Sequence, residues 1–123
     1  MTQPSSIPTI DVAEADRRLR EDADRPLLLD VREADEFAAV RAPGAALVPT
    51  SQFMARVADL PTDRPILVIC TAGSRSAAVT GYLARTGRTD VANVAGGMTA
   101  WERAGLATVR GTPAAGEGDL PTD

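Results

Sequence analysis

One stretch of the chain has the residue types and spacing of a reactive site: Ile66-Leu67-Val68-Ile69-Cys70-Thr71-Ala72-Gly73-Ser74-Arg75-Ser76. Cys70 is the only cysteine in the sequence, and it follows an unbroken apolar run. Behind it come small residues, a glycine able to adopt positive φ, and a helix expected from about Arg75 to Arg85. Such a loop can turn successive backbone N–H groups inward, with the positive end of the helix dipole beside them. A sulfur held there is expected to have a lowered pKa and to exist as thiolate without a neighbouring imidazole. Arg75 adds a fixed positive charge and a planar fork suited to an oxyanion. One of Ser74 and Ser76 is expected to serve only as the N-cap of the helix. A lone cysteine after a strand can also be a small buried hydrophobe. The glycine-containing loop, the helix onset and the arginine together argue for function.

Composition narrows the chemistry further. The sequence has 123 residues and no histidine, and all of its 13 basic residues are arginine. A Ser-His-Asp triad, a Cys-His pair and an imidazole metal site are therefore excluded. So are Schiff-base chemistry and a lysine-bearing phosphate loop. What remains is carboxylates, hydroxyls, arginines, backbone amides and one thiol. The net charge of −4 argues against nucleic acid or an anionic membrane as partner, because phosphate neutralisation requires a basic surface. One cysteine makes no internal disulfide, and the first residues carry neither a basic region nor a long apolar run. A cytoplasmic protein is the expectation.

The elements that must position Cys70 follow from the punctuation of the chain. Asp11 with Glu14 opens a helix running to about Arg20. Pro26 precedes the strand Leu27–Val31, Ala34–Ala39 reads as a short helix, and Ala46–Val48 as a short strand. Ser51 is expected to cap a third helix with Phe53, Met54, Val57 and Leu60 on one face. Ile66–Cys70 is the strongest strand, Val91–Val94 the next, and Met98–Ala104 a final helix ending at Gly105. Apolar strands alternating with helices require a parallel, helix-covered α/β sheet, whose ligands sit beyond the carboxyl ends of the strands. Residues 1–6 read as a polar lead, 7–109 as the folded domain, and the Gly-, Pro- and acid-rich segment 110–123 as a disordered tail.

With these residues in view, the chain resembles a single-domain rhodanese-like sulfurtransferase over nearly all of residues 7–109. Leu28-Leu29-Asp30-Val31-Arg32-Glu33 with Glu36-Phe37 resembles the first motif of that family, and Ala42-Pro43-Gly44-Ala45 with Pro49 the second. Cys70-Thr71-Ala72-Gly73-Ser74-Arg75-Ser76 resembles its active-site loop. Val94-Ala95-Gly96-Gly97 with Ala100-Trp101 and Ala104-Gly105-Leu106 resembles its C-terminal signature. Any one block is weak; all of them in order, at compatible spacing, are strong. The resemblance implies a three-layer fold with a parallel sheet of about five strands and helices on both faces. It also implies that Cys70 takes a sulfur from a small anionic donor such as thiosulfate, or from a persulfide, and holds it as a persulfide. A thiol acceptor, free or on a carrier protein, or cyanide would then remove it, with no metal and no organic cofactor. Thr71, Ala72, Gly73, Ser74 and Arg75 would bind the donor. The sequence departs from the family where Arg41-Ala42 stands at a site often held by histidine, and where Thr71-Ala72 is less polar and basic than usual.

Asp30, Arg32 and Ser76 are expected to support the site rather than react, the first two through an Asp30–Arg32–Glu36 network. The Gly96-Gly97 pair is weak evidence for phosphate binding, and close packing of this turn beside the loop explains it equally well. Two other functions compete. A cysteine phosphatase or arsenate reductase also places an arginine at the end of its anion loop, but that loop is one residue longer than the stretch from Cys70 to Arg75. A non-catalytic binding module would have no physical need for an intact loop and thiol.

Overall fold

The structure, a computed structural model, describes residues 7–121; the polar lead 1–6 lies outside them. Five strands form one parallel sheet: β1 (Thr9–Ile10), β2 (Leu27–Asp30), β3 (Ala46–Leu47), β4 (Ile66–Ile69) and β5 (Val91–Val94), in the spatial order β1-β5-β4-β2-β3. Every residue of β2, β4 and β5 is buried, as expected for central strands covered on both faces.

Side chains alternate between the two faces. Leu28, Leu67, Ile69, Ala92 and Val94 meet helices α1 (Val12–Glu21), α2 (Ala34–Ala39) and α5 (Gly97–Arg103) through Val12, Ala15, Phe37, Met98 and Trp101. Leu29, Ile66, Val68, Cys70 and Val91 meet helices α3 (Phe53–Arg56) and α4 (Ser74–Arg85) through Phe53, Val79 and Leu83. Burial of each such aliphatic side chain contributes roughly 1.5–3 kcal/mol. The two faces together are the core, and Cys70 belongs to one of them.

The path of the chain creates the crevice. From β2 it moves outward to β3, then crosses back to β4 on the other side of β2. This reversal sets the carboxyl ends of β2 and β4 side by side, with Asp30 in register with Ile69, and open parallel sheets bind ligands at such a point.

Three expectations are corrected. The segment after Ser51 is not one helix: α3 has only four residues, flanked by 3₁₀ turns at Thr50–Gln52 and Val57–Asp59. The tighter 3₁₀ winding rotates the expected face apart, burying Phe53 and Leu60 while Met54 is 64% exposed. Strand β1 was not anticipated, because its two residues take their conformation from β5 rather than from a pattern of their own.

The third correction concerns the C-terminus. Residues 110–121 do not hang loose but form a strap along the β3 edge; the rest of the expected tail lies outside the described residues. Val109 bridges Arg41, Gly111 donates to the Ala38 carbonyl at 2.8 Å, and Leu47 donates to the Gly118 carbonyl at 2.8 Å. The Arg41 guanidinium, 2% exposed, bonds the carbonyls of Phe37 and Gly111 and pairs with Glu117. A buried cation requires such partners, and the strap supplies two of them.

Candidate active site

Cys70 stands one residue beyond β4 and is 1% exposed. The loop behind it is shaped from the α5 side. Met98 and Thr99, at the start of α5, donate to the carbonyls of Cys70 and Thr71 at 2.8 and 3.0 Å. In a trans peptide the N–H points opposite to its C=O, so fixing the Thr71 carbonyl toward α5 turns the Ala72 N–H the other way, to the sulfur whose charge it helps to hold. Gly97 permits the approach: a Cβ there would lie 2.3 Å from the Cys70 carbonyl oxygen and 2.6 Å from the Thr71 carbonyl carbon. Of the two readings open for the glycine pair, the structure shows close packing.

Gly73 completes the turn at φ 110°, in the left-handed region, and is the N-cap of α4. The expectation that Ser74 or Ser76 caps this helix is therefore corrected. Ser74 is its first residue and exposed. Ser76 is fully buried and turns its hydroxyl to Cys70, with Oγ 3.2 Å from Sγ. The sulfur also accepts from the N–H of Gly73 at 3.1 Å and of Ser76 at 3.3 Å. Burial pushes the thiol pKa up. The Ser76 hydroxyl and the amides of Ser76, Gly73 and Ala72 outweigh it and hold the thiol below its ordinary value. Hydrogen bonds to a thiolate favour the charged form, so the loop alone does what a histidine does elsewhere.

Arg75 is not a free charge. Its Nη1 and Nη2 donate to Oε1 and Oε2 of Glu36 at 2.7 and 2.9 Å, and Nη2 also reaches Thr71 Oγ1 at 3.1 Å. The Thr71 hydroxyl in turn donates to Glu36 Oε2 at 3.1 Å. Glu36 is fixed from its own helix as well, accepting the Glu33 N–H at 3.0 Å in a capping box. The Arg75 guanidinium, with the Glu33 amide and the Thr71 hydroxyl, holds the Glu36 carboxyl down at about 2 against the opposing effect of burial.

The expected Asp30–Arg32–Glu36 network is accordingly half right. Arg32 makes a two-pronged, fully buried pair with Asp30 and bonds the main-chain carbonyls of Glu36 and Val40. The Glu36 carboxylate points to the loop instead. It belongs to the first motif, but its partner lies 39 residues away, a separation that no local pattern exposes. Among the described residues, no group of three His, Cys, Asp or Glu side chains could hold a metal ion, and no helix is long and apolar enough to cross a membrane.

This geometry meets an independent finding: the model of the rhodanese-like domain matches residues 11–104. The chain belongs to the rhodanese-like family. A sulfurtransferase of Allochromatium vinosum is 35% identical over 88 residues, covering 72% of this chain and 82% of that protein. The thiosulfate sulfurtransferase GlpE of Actinobacillus succinogenes is 36% identical over 80 residues, covering 65% of this chain and 72% of that one. Among solved structures, a rhodanese-related protein of Thermoplasma volcanium superposes with a TM-score of 0.76 at 27% identity, over 83% of this chain and 97% of that one. The parallel α/β sheet with helices is the rhodanese-like fold, and the family is one of sulfurtransferases.

Proposed function

We propose that the protein transfers a sulfane sulfur through a persulfide on Cys70. The thiolate attacks the outer sulfur of a donor, the donor's S–S bond breaks, and its electron pair leaves on sulfite or on a thiolate. Cys70 keeps the sulfur as Cys-S-SH or its anion. An acceptor thiolate or cyanide then attacks that outer sulfur and returns the Cys70 thiolate. The two half-reactions make this covalent catalysis with ping-pong order.

The observation that carries this reading is the sulfur held by two amides and a hydroxyl from Gly73 and Ser76. These donors stabilise the attacking thiolate and suit the anionic persulfide that replaces it. The near-complete cover of Cys70 favours a slim, terminal sulfur over a bulky electrophile. Thr71, Ala72, Gly73, Ser74 and Arg75 are the donor-binding loop, and Asp30 and Arg32 support the end of β2. With Cys70 the only cysteine, the bound sulfur has no thiol in this chain to receive it, so the acceptor comes from outside, as a small thiol or one on a carrier protein.

The test is thiocyanate formation from thiosulfate and cyanide, together with intact-protein mass spectrometry after incubation with thiosulfate or a thiol persulfide. Cys70 is expected to gain the mass of one sulfur atom and Cys70→Ser to gain none. Failure of every donor to load the thiol returns the binding-module reading, and hydrolysis of an aryl phosphate favours the phosphatase reading.

A further inference from the structure

The charges around Cys70 cancel. Arg75 is the only charged residue between Cys70 and Ser76, and both terminal nitrogens of its fork are already taken by Glu36. Arg32, just beyond β2, is buried against Asp30 and the Glu36 and Val40 carbonyls. A dianion entering the loop therefore meets backbone amides and the start of α4, worth about half a charge, while neither Arg75 nor Arg32 is uncompensated. Thr71 cannot compensate, because its hydroxyl donates to Glu36 and receives from Arg75.

We propose that Glu36 is a specificity-determining residue: by occupying the Arg75 fork it disfavours the thiosulfate dianion as donor and directs the site to the terminal sulfur of an organic persulfide. The proposal rests on the sulfurtransferase reading and names its donor class. Thiosulfate carries two negative charges, next to the sulfur that Cys70 must attack. A hydropersulfide carries none when protonated, and its reaction balances without a second anion. The Cys70 thiolate bonds to the outer sulfur of R–S–SH, the donor S–S bond breaks, the electron pair leaves as R–S⁻, and the proton stays on the transferred sulfur. The Glu36–Arg75 pair is about one-third exposed at both side chains, 32% and 35%, so it lies where an arriving donor senses its charge. Its carboxylate is held from three sides, by Arg75, Thr71 and the Glu33 amide, and does not swing aside to release the fork.

The experiment compares kcat/KM for two donors, thiosulfate and the persulfide of 2-mercaptoethanol, whose only ionisable group is the persulfide itself. In Glu36→Gln the ratio of thiosulfate to persulfide kcat/KM is expected to rise about tenfold, mostly through KM for thiosulfate, with the gain shrinking as salt increases. In Arg75→Gln, which exposes the Glu36 charge, the ratio is expected to fall by a similar factor. The double variant restores neutrality and is expected to return close to the parent ratio, so the test survives a loop distorted in either single variant. An unmoved ratio, or both donors failing together in proportion, overturns the proposal and leaves Glu36 a purely structural brace. Loading of parent Cys70 by neither donor overturns the sulfurtransferase reading itself, whereas loading with an unmoved ratio overturns this proposal alone.

Discussion

Two arginines reach glutamates far along the chain, with opposite consequences. Arg75 meets Glu36 at the mouth of the Cys70 loop, where both side chains remain about one-third exposed. Arg41 meets Glu117 beneath the C-terminal strap, where the guanidinium is 2% exposed, lies 5.3 Å from the centre of the Phe37 ring and also holds two main-chain carbonyls. Water screens the first pair, so it contributes little to stability but leaves its charge felt by whatever approaches. In the second the guanidinium is shut away from water while Glu117 stays 28% exposed, so the carbonyls that Arg41 holds have no substitute if the arginine is lost. The same chemical pair is thus a device for selectivity in one place and an anchor in the other, and burial decides which.

That contrast can be broken most forcefully at Arg41. Arg41→Ala is expected to lower unfolding free energy by about 3 kcal/mol, because it strands the carbonyls of Phe37 and Gly111. The pH dependence of Cys70 alkylation should not move. Denaturant melts and thiol titration check the two halves, and a shifted titration would mean that strap and loop are not independent. Gly97→Ala is next. Its Cβ has no room against the Cys70–Thr71 peptide, so an overpacking loss of about 2 kcal/mol is expected. Here, in contrast, the alkylation midpoint should rise as the amides are pushed off the sulfur.

Ser76→Ala sharpens the loop side of the comparison. It removes one donor to the sulfur at a loss of about 1 kcal/mol, and raises the alkylation midpoint, which in the parent is expected to lie below the free-thiol value of about 8.5. Because the folded pKa is depressed, the stabilisation of the thiolate is complete above the free-thiol value. It is lost as pH falls through the folded one, so the deficit of Ser76→Ala should be greatest in alkali. The smallest effect is expected for Glu36→Gln, about 0.5 kcal/mol at neutral pH. The Glu36 carboxyl sits at about 2, below the free value of about 4.3. Its contribution is therefore whole above about pH 4.3 and disappears as pH falls through about 2, and urea melts at neutral and acid pH would show the two chains converging.

The sequence displayed what local patterns encode. The buried runs of β2, β4 and β5, the short helix Ala34–Ala39 and the Asp11 cap all depend on neighbours within a few residues, and the Cys70 loop shows its residue types there although its shape is fixed from α5. What it hid depends on distance or on competition between local and tertiary demands. The strap was hidden because its glycines, prolines and acids have the composition of a loose end, while its anchor, Arg41, sits 76 residues from Glu117. Met54 leaves the face that a regular helix would give it because 3₁₀ turns flank α3. Sequence proximity favours Arg32 as the partner of Glu36, because the competing partner on the loop becomes adjacent only when β2 and β4 lie side by side. The N-cap serines failed for a related reason: a hydroxyl that could have capped α4 is drawn to the sulfur instead.

The Gly118 carbonyl that receives the Leu47 N–H also decides where this module can be cut. The order of the sheet leaves β1 and β3 at its borders, and a border strand with unpaired backbone is a template for joining another chain. A fragment ending at residue 104, where the family match stops, would keep the reactive loop yet bare the β3 border and empty the socket of Arg41. It should load sulfur while self-associating. In the full chain the strap covers that border at Leu47 and fills that socket through Gly111 and Glu117.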